Sequence, residues 1–197
     1  MCKLINTIII LIFCLIVFIG CKTFSTIDNT IPKTELASPS SIPAPNWEDL
    51  PSIYNTTYKF IIKTPSDKWS FIKTEQKLIL MGDRENLTRN AQLDIEEVKE
   101  PMTSSDYLKK VEIPEASINF SDFEIISEEN IIVSGKEAVK VVLTFTPKNK
   151  TIKLKQWHIV IVVRNIAFIL TIQDNIDNFD KQRDDFNKII DNFTILH

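Results

Sequence analysis

The sequence predicts an α+β fold: a mainly antiparallel β-sheet flanked by helices. Two patterns carry this prediction, because short alternating strands follow one another in hairpins and amphipathic helices occur at two separate points. The chain has 197 residues, of which 44% are hydrophobic and 25% are charged. That composition is typical of one globular domain with some additional length, and it excludes a disordered or collagen-like chain.

Residues 1–20 are predicted to be a signal peptide. Lys3 provides a positive start, residues 8–19 form an apolar run, and Gly20 comes directly before Cys21. This is the three-part layout of a secretory signal. An uncleaved transmembrane anchor is the alternative, although the run is shorter than the roughly 20 residues that a spanning helix prefers.

Residues 18–21 resemble the lipobox of bacterial lipoproteins, in which a small residue precedes the cysteine that is acylated. Gly20 and Cys21 match that pattern, and Phe18 replaces the usual Leu. The resemblance implies a mature protein that starts at Cys21 after cleavage behind Gly20, with diacylglycerol on the Cys21 thioether and a third acyl chain, such as palmitate, on its new amino group. Because each buried methylene contributes about 0.8 kcal/mol, two or three chains anchor a protein almost permanently. A plain cleaved signal, with Cys21 incidental, remains the alternative.

Residues 21–52 are predicted to be a linker between the membrane and the folded part. The segment is rich in Ser, Thr and Pro and shows neither a helical nor a strand period, so it buries too little apolar surface to fold. Near its end, Trp47 and Leu50 are expected to dock on the domain that follows. Five of the nine prolines lie here: Pro32, Pro39, Pro43, Pro45 and Pro51.

The first half of the predicted domain, 53–197, contains strands and then a helix. Apolar and polar residues alternate along each strand. A helix over 106–113, capped by Ser104 or Ser105, presents Tyr107 and Leu108 on one face and is expected to end at Pro114. The expected strands are 58–62, 69–73, 77–81 and 91–98, with turns at 64–67 and at Gly82 and Asp83.

The second half begins with a bent strand and ends with a helix. Ser134 and Gly135 are expected to form a tight turn, and Arg164 with Asn165 the turn of a second hairpin. Asp177 is expected to cap a final helix over 178–192. The expected strands are 123–127 with 131–133, then 138–145, 152–163 and 167–173. The helix is expected to carry an apolar stripe of Phe179, Phe186, Ile190 and Phe193. Its expected ion pairs are Asp177/Lys181 and Asp184/Lys188.

Several motifs resemble the PsbP-like family in their order and spacing. Residues 58–69 resemble its opening aromatic strand, Pro and Trp, and residues 105–108 its helix start. Residues 134–138, 167–171 and 186–193 then match its tight turn, later strand and closing helix. The resemblance implies an α-β-α sandwich of the PsbP/Mog type, in extracytoplasmic domains that bind or stabilise other proteins.

The composition excludes several classes of activity. With 23 Lys and Arg against 26 Asp and Glu, the formal charge of −3 gives no field for nucleic-acid binding, so no nucleic-acid partner is expected. The three cysteines, Cys2, Cys14 and Cys21, all precede the predicted domain. The domain therefore has no disulfide, no cysteine nucleophile and no thiolate metal site. Glycine is too scarce in the domain for the glycine-rich loops that commonly bind phosphates and dinucleotides. No cofactor, metal site or catalytic residue is expected.

Four residues are candidates for contact with a ligand or partner. Trp157 and His158 are adjacent on one predicted strand, where His158 suits a hydrogen-bonded structural histidine better than a catalytic base. Lys153 and Lys155 share a face, which indicates either a solvated strand that resists aggregation or contact with anionic lipid or an acidic partner. The carboxylates of Asp174, Asp177 and Asp180 are interpreted as helix-terminal residues rather than calcium ligands.

Two functions remain open from the sequence. The first is a non-catalytic protein-binding or assembly module, held by its N-terminal lipid at the cell membrane or outer membrane and facing the periplasm or cell exterior. The second is an envelope lipoprotein that binds a small ligand or carbohydrate in a groove near Trp157 and His158. The first is preferred, and the second includes an undetected hydrolase that works in the same groove.

Overall fold

A computed structural model describes residues 50–148 and 150–196, all within one unit, Trp47–His197. The predicted signal peptide, most of the linker, and Gly20, Cys21 and Trp47 lie outside the described residues. The strands are β1 (Ser52–Asn55), β2 (Phe60–Lys63), β3 (Trp69–Thr74), β4 (Leu78–Asp83), β5 (Asn90–Glu97), β6 (Phe120–Val133), β7 (Lys136–Pro147), β8 (Leu154–Val163), β9 (Ile166–Asn175) and β10 (Phe193–Ile195).

Two sheets organise these strands, and every pairing is antiparallel. The larger has seven strands in the order β3-β4-β5-β9-β8-β7-β6, and the smaller has the order β1-β2-β10. The tight turn between β6 and β7 is confirmed, because Ser134 and Gly135 both have positive φ, 52° and 71°. The β8–β9 hairpin at Arg164 and Asn165 is also confirmed, with Arg164 at a φ of 57°.

The first helical segment runs through three parts without a break: α1 (Ser104–Tyr107), a π-helical turn (Leu108–Glu112) and α2 (Ile113–Asn119). The expected end at Pro114 is wrong. Pro114 lies in the first turn of α2, where a missing N–H costs little, and the wider turn before it lets the Ile113 N–H reach the Leu108 carbonyl. The cap is Thr103 rather than Ser104 or Ser105, since the Thr103 side chain accepts from the Asp106 N–H.

The C-terminal helix is shorter and less regular than expected. It consists of α3 (Ile176–Phe179), a 3₁₀ turn (Asp180–Gln182) and α4 (Arg183–Asp191). Its cap is Asn175, which accepts from the N–H of Asp177, so Asp177 is not the cap. The expected ion pairs are also replaced, because Lys188 pairs with Asp185 at 3.6 Å and Lys181 donates to Asn178.

Two strands were not anticipated. β10 contains Phe193, which the sequence placed on the helix, and pairs it with Ile62 of β2. β1 begins at Ser52, the last residue of the predicted linker. Gly82 belongs to strand β4 rather than to a turn, and its missing side chain leaves room for Ile72: a Cβ on Gly82 would lie 2.7 Å from Cδ1 of that residue.

The first face of the seven-stranded sheet packs against α3, α4 and the small sheet. Its core is strongly aromatic: Phe60 lies 5.9 Å from Phe193 and 6.1 Å from Phe168, measured between ring centroids. Leu93, Ile159 and Leu170 of the large sheet, together with Ile189 of α4, complete this fully buried layer.

The second face packs against the α1–α2 segment. Tyr107 and Leu108 cover a layer of aliphatic side chains from β7, β8 and β9, namely Val139, Val141, Leu143, Val160 and Ile169. A helical layer therefore lies on each side of the large sheet, which confirms the predicted α-β-α arrangement and the α+β fold class.

Candidate functional site

Trp157 and His158 do not share a groove. Successive side chains of a strand point to opposite faces, and Trp157 belongs to the aromatic core of the first face. His158 lies across from Thr171 and Val141 on the second face. Both residues are largely buried, with 6% and 9% of their surface exposed. A ligand site formed jointly by these two side chains is therefore not available in this fold.

Trp157 is packed from both sides. Its ring centroid lies 5.7 Å from that of Phe179 and 5.9 Å from that of Phe186, both at steep interplanar angles. The Lys140 ammonium lies 4.6 Å from the ring centroid, a cation–π contact, and pairs with Glu129. These contacts show that Trp157 is part of the hydrophobic core of the domain.

Lys155 is also engaged within the domain. Its Nζ donates to both carboxylate oxygens of Asp180, at 3.0 and 2.8 Å, and lies 5.4 Å from the Phe179 ring centroid. With Arg183, this ion pair lowers the pKa of Asp180. Lys153 precedes β8 and accepts the Ile176 N–H at its carbonyl. The two lysines therefore differ: Lys155 ties β8 to the 3₁₀ turn, and Lys153 lies in the preceding loop.

His158 belongs to a cluster of titratable groups on the second face. Its Nε2 lies 3.2 Å from Oε2 of Glu112, close enough for an ion pair but not aligned for a hydrogen bond. Asp94, on β5, accepts a hydrogen bond from Gln92. Burial raises the pKa of Asp94 to about 7, and the charges of Glu112 and Glu96 act in the same direction.

Tyr107 joins this cluster from the helix. Its hydroxyl donates to Glu96 of β5, and burial together with that carboxylate raises the pKa of Tyr107. The adjacent π-helical turn brings Glu112 over His158. This grouping is not visible in the sequence, because its members come from three distant segments and each residue alone is unremarkable in its local pattern. In this cluster the Tyr107–Glu96 hydrogen bond joins the helix to the sheet, whereas Nε2 of His158 is buried without a hydrogen-bond partner among the described residues.

A second polar cluster escaped the sequence analysis at the border of the first face. Arg89 donates to Asp83 at 2.6 Å and to Asp174 at 3.0 Å, and both carboxylates are almost completely buried. Thr88 adds a hydrogen bond of 2.7 Å to Asp174. Asp174 therefore holds the β4–β5 loop, and its interpretation as a helix-capping carboxylate is wrong, because Asn175 is the cap.

Among the described residues, the long edge strand β6 carries three of the four exposed large apolar side chains in the larger sheet, the fourth being Ile72 of β3. Ile125, Ile126 and Ile132 are 45%, 52% and 67% exposed. At the carboxyl end of β6, Asn130, Ile132 and Glu137 form one side of an open pocket of about 440 Å³. Thr103, Ser104 and Ser105, at the start of α1, form the other side.

No group of three or more His, Cys, Asp or Glu side chains in the described part of the chain is arranged to hold a metal ion. Within residues 50–148 and 150–196, no helix is both long and apolar enough to cross a membrane.

Comparisons with known proteins bear on the fold. No protein-family model and no curated protein sequence matches the chain. Solved structures do match: cyanobacterial PsbP from Synechocystis has a TM-score of 0.56 and 14% identity, over 82% of this chain and 99% of that one. The Saccharomyces cerevisiae Ran-binding protein Mog1p has a TM-score of 0.53 and 6% identity, over 75% and 95% of the two chains.

A Pseudomonas aeruginosa protein of unknown function also matches, with a TM-score of 0.51 and 11% identity over 61% of this chain and 83% of that one. At such low identities these likenesses concern the fold alone. The sheet with a helical layer on each face, shared with cyanobacterial PsbP and Mog1p, shows that this chain has the PsbP/Mog-type fold expected from its motifs.

Proposed function

We propose that the protein is a lipid-anchored extracytoplasmic lipoprotein whose folded domain is a non-catalytic protein-binding or assembly module. The observation that carries the binding role is the edge strand β6, a 14-residue strand with two register shifts that presents Ile125, Ile126 and Ile132 to solvent. Exposed apolar side chains concentrated on one element are typical of an interaction surface. Mog1p, which has the same fold, is a Ran-binding protein.

The charged groups of the domain support a non-catalytic role. Arg89 is held between two buried carboxylates, Lys155 is bound to Asp180, and His158 faces Glu112. A catalytic acid, base or nucleophile must instead present its reactive atom to a substrate. In the described residues these polar groups hold helices and loops on the sheet.

The anchor is tested by Cys21→Ala. We expect this variant to leave the membrane fraction while the domain keeps its unfolding temperature, because the acyl chains alone supply the membrane affinity. Retention of the variant in the membrane would favour an uncleaved hydrophobic anchor instead.

The binding role is tested by cross-linking in intact cells, followed by purification of the anchored protein and mass spectrometry of its adducts. We expect one stoichiometric envelope protein. An empty purification, together with reproducible thermal stabilisation by one envelope ligand, would favour the small-ligand alternative. Within the described residues, the pocket beside Thr103 and Ile132 is open to such a ligand, whereas Trp157 and His158 lie on opposite faces and form no joint site.

A further inference from the structure

We propose that the outer edge of β6 binds an extended segment of the partner with alternating basic and apolar residues, as an additional antiparallel strand of the large sheet. This inference rests on the proposed protein-binding function and names the surface and the chemistry of the partner segment.

The position of β6 supplies the backbone groups for such pairing. β6 is the last strand of the seven-stranded order, so within the described residues it pairs only with β7. An edge strand presents unpaired N–H and C=O groups, and an added peptide strand takes its affinity from hydrogen bonds to them. β6 has 14 residues, of which 127–133 keep an unbroken register with β7, whereas β3 at the other edge has six residues and is itself interrupted by a register shift, so β6 offers the longer template.

The side chains of β6 divide by face, according to its register with β7. On the second face, Ile125 lies opposite Leu143 and Ile132 opposite Glu137, with Glu128 between them, opposite Val141 and paired with Lys109. Glu124 and Glu129 lie on the first-face side, opposite Thr144 and Lys140. An added strand alternates its side chains between the same two faces. Apolar residues of the added strand would therefore meet Ile125 and Ile132 on the second face, while its basic residues would meet Glu124 and Glu129 on the first face.

The charge of β6 selects against a second copy of this chain. The strand carries Asp122, Glu124, Glu128 and Glu129 and no Lys, Arg or His. Two such strands paired edge to edge would place like charges near one another, which is destabilising. Glu128 and Glu129 pair with Lys109 and Lys140 of neighbouring elements. Because every charged side chain of β6 itself is acidic, the strand complements a basic segment.

The pocket at the end of β6 provides a side-chain site in line with this edge. Asn130 and Ile132 of β6 form part of its lining, and the hydroxyl residues 103–105 lie opposite. Ser104 is fixed in place, because its hydroxyl donates to the Glu137 carbonyl at 3.2 Å and accepts from the Val162 N–H at 3.0 Å. In strand addition, such pockets give specificity to backbone pairing.

The test uses the full-length acylated protein in an uncharged detergent and two synthetic ten-residue peptides, one alternating Lys and Val and the other Glu and Val. We expect the Lys–Val peptide to slow amide hydrogen exchange in residues 120–133 but not in residues 69–74. We expect the Glu–Val peptide to bind at least about tenfold more weakly, a difference of about 1.4 kcal/mol.

Two exposed isoleucines provide a matched pair of variants. Ile126 is 52% exposed and Ile72 is 53% exposed, and each lies at a register shift of an edge strand. Ile126→Lys is expected to weaken binding of the Lys–Val peptide about tenfold, whereas Ile72→Lys leaves it unchanged. Unchanged melting temperatures of both variants establish that the fold is intact.

Equal binding of the two peptides, protection outside residues 120–133, or concentration-dependent dimers that protect β6 without peptide would each overturn the inference. A stoichiometric partner in the cellular cross-linking experiment, combined with no protection of β6, would leave the proposed function standing and refute this surface alone.

Discussion

The two faces of the large sheet are built in different ways. The first face is an aromatic layer in which Phe186 contacts both Trp69 and Trp157, and its charged residues Asp83, Arg89 and Asp174 form a closed network at the border. The second face has an aliphatic half, and beside it a polar half that includes Asp94 and His158.

The two faces therefore differ in role: the first contributes mainly to stability, and the second lies beside the proposed interaction surface. The first face excludes water and gains from ring packing, so its residues are constrained by shape. The second face accommodates titratable groups, a π-helical turn and the pocket at the start of α1. We therefore expect substitutions on the first face to act on folding, and changes along β6 beside the second face to act on binding.

Phe186→Ala breaks the first face most severely. The ring is fully buried and lies 4.9 Å from Phe179, so its removal leaves a cavity that rigid neighbours cannot fill. We expect a loss of about 3–5 kcal/mol in the free energy of unfolding, measured by chemical denaturation. Phe123→Ala, at a partly buried site on the second face, is the control and should lose much less; equal losses would contradict the comparison.

Arg89→Met tests the closed network at the border of the first face. The substitution keeps the aliphatic volume but leaves the carboxylates of Asp83 and Asp174 buried without their cation. We expect a loss of about 3 kcal/mol in the free energy of unfolding. Lys68→Met, which removes an exposed cation from its pair with Glu85, should change stability by less than about 1 kcal/mol.

Asp94→Asn tests the polar half of the second face. Between the ordinary pKa of 3.8 and the raised value of about 7, the folded state retains a proton that the unfolded chain releases. The contribution of Asp94 to stability therefore falls as the pH rises through this window and stays low above it. We expect Asp94→Asn to raise the unfolding temperature at pH 8 and to leave it nearly unchanged at pH 4; stabilisation only at pH 4 would contradict this sign.

Lys155→Ala is expected to have the smallest effect. Its partner Asp180 is 53% exposed at the side chain, so solvent screens the ion pair and little stability depends on it. We expect a loss below about 1 kcal/mol in the free energy of unfolding. A loss comparable with that of Arg89→Met would show that Lys155 carries more of the packing of α3 than its contacts indicate.

The sequence predicted what depends on local patterns. Strand alternation, the Ser134–Gly135 turn and the Arg164–Asn165 turn are local, and each is confirmed. The continuation of the helix past Pro114 was missed because the π-helical turn before it is not visible in hydrophobic spacing. β10 was missed because Phe193 fits a helical stripe as well as it fits its pairing with β2.

The candidate site was less accessible to sequence reasoning. Asp94, Glu112 and His158 meet only because β5, the π-helical turn and β8 converge on the second face. No spacing within the chain encodes such contacts. The separation of Trp157 from His158, in contrast, follows from strand alternation alone, because adjacent residues of a strand point to opposite faces. The expectation that both side chains line one groove was therefore inconsistent with the predicted strand itself.

A protein partner is expected to bind this domain along β6. A photo-reactive phenylalanine analogue incorporated at position 126 or at position 72, followed by irradiation of intact cells and comparison of the adducts, is the most direct test. We expect a single protein adduct from position 126 and none from position 72, although the two native side chains are 52% and 53% exposed. Adducts of equal yield from both positions, or from position 72 alone, would contradict it.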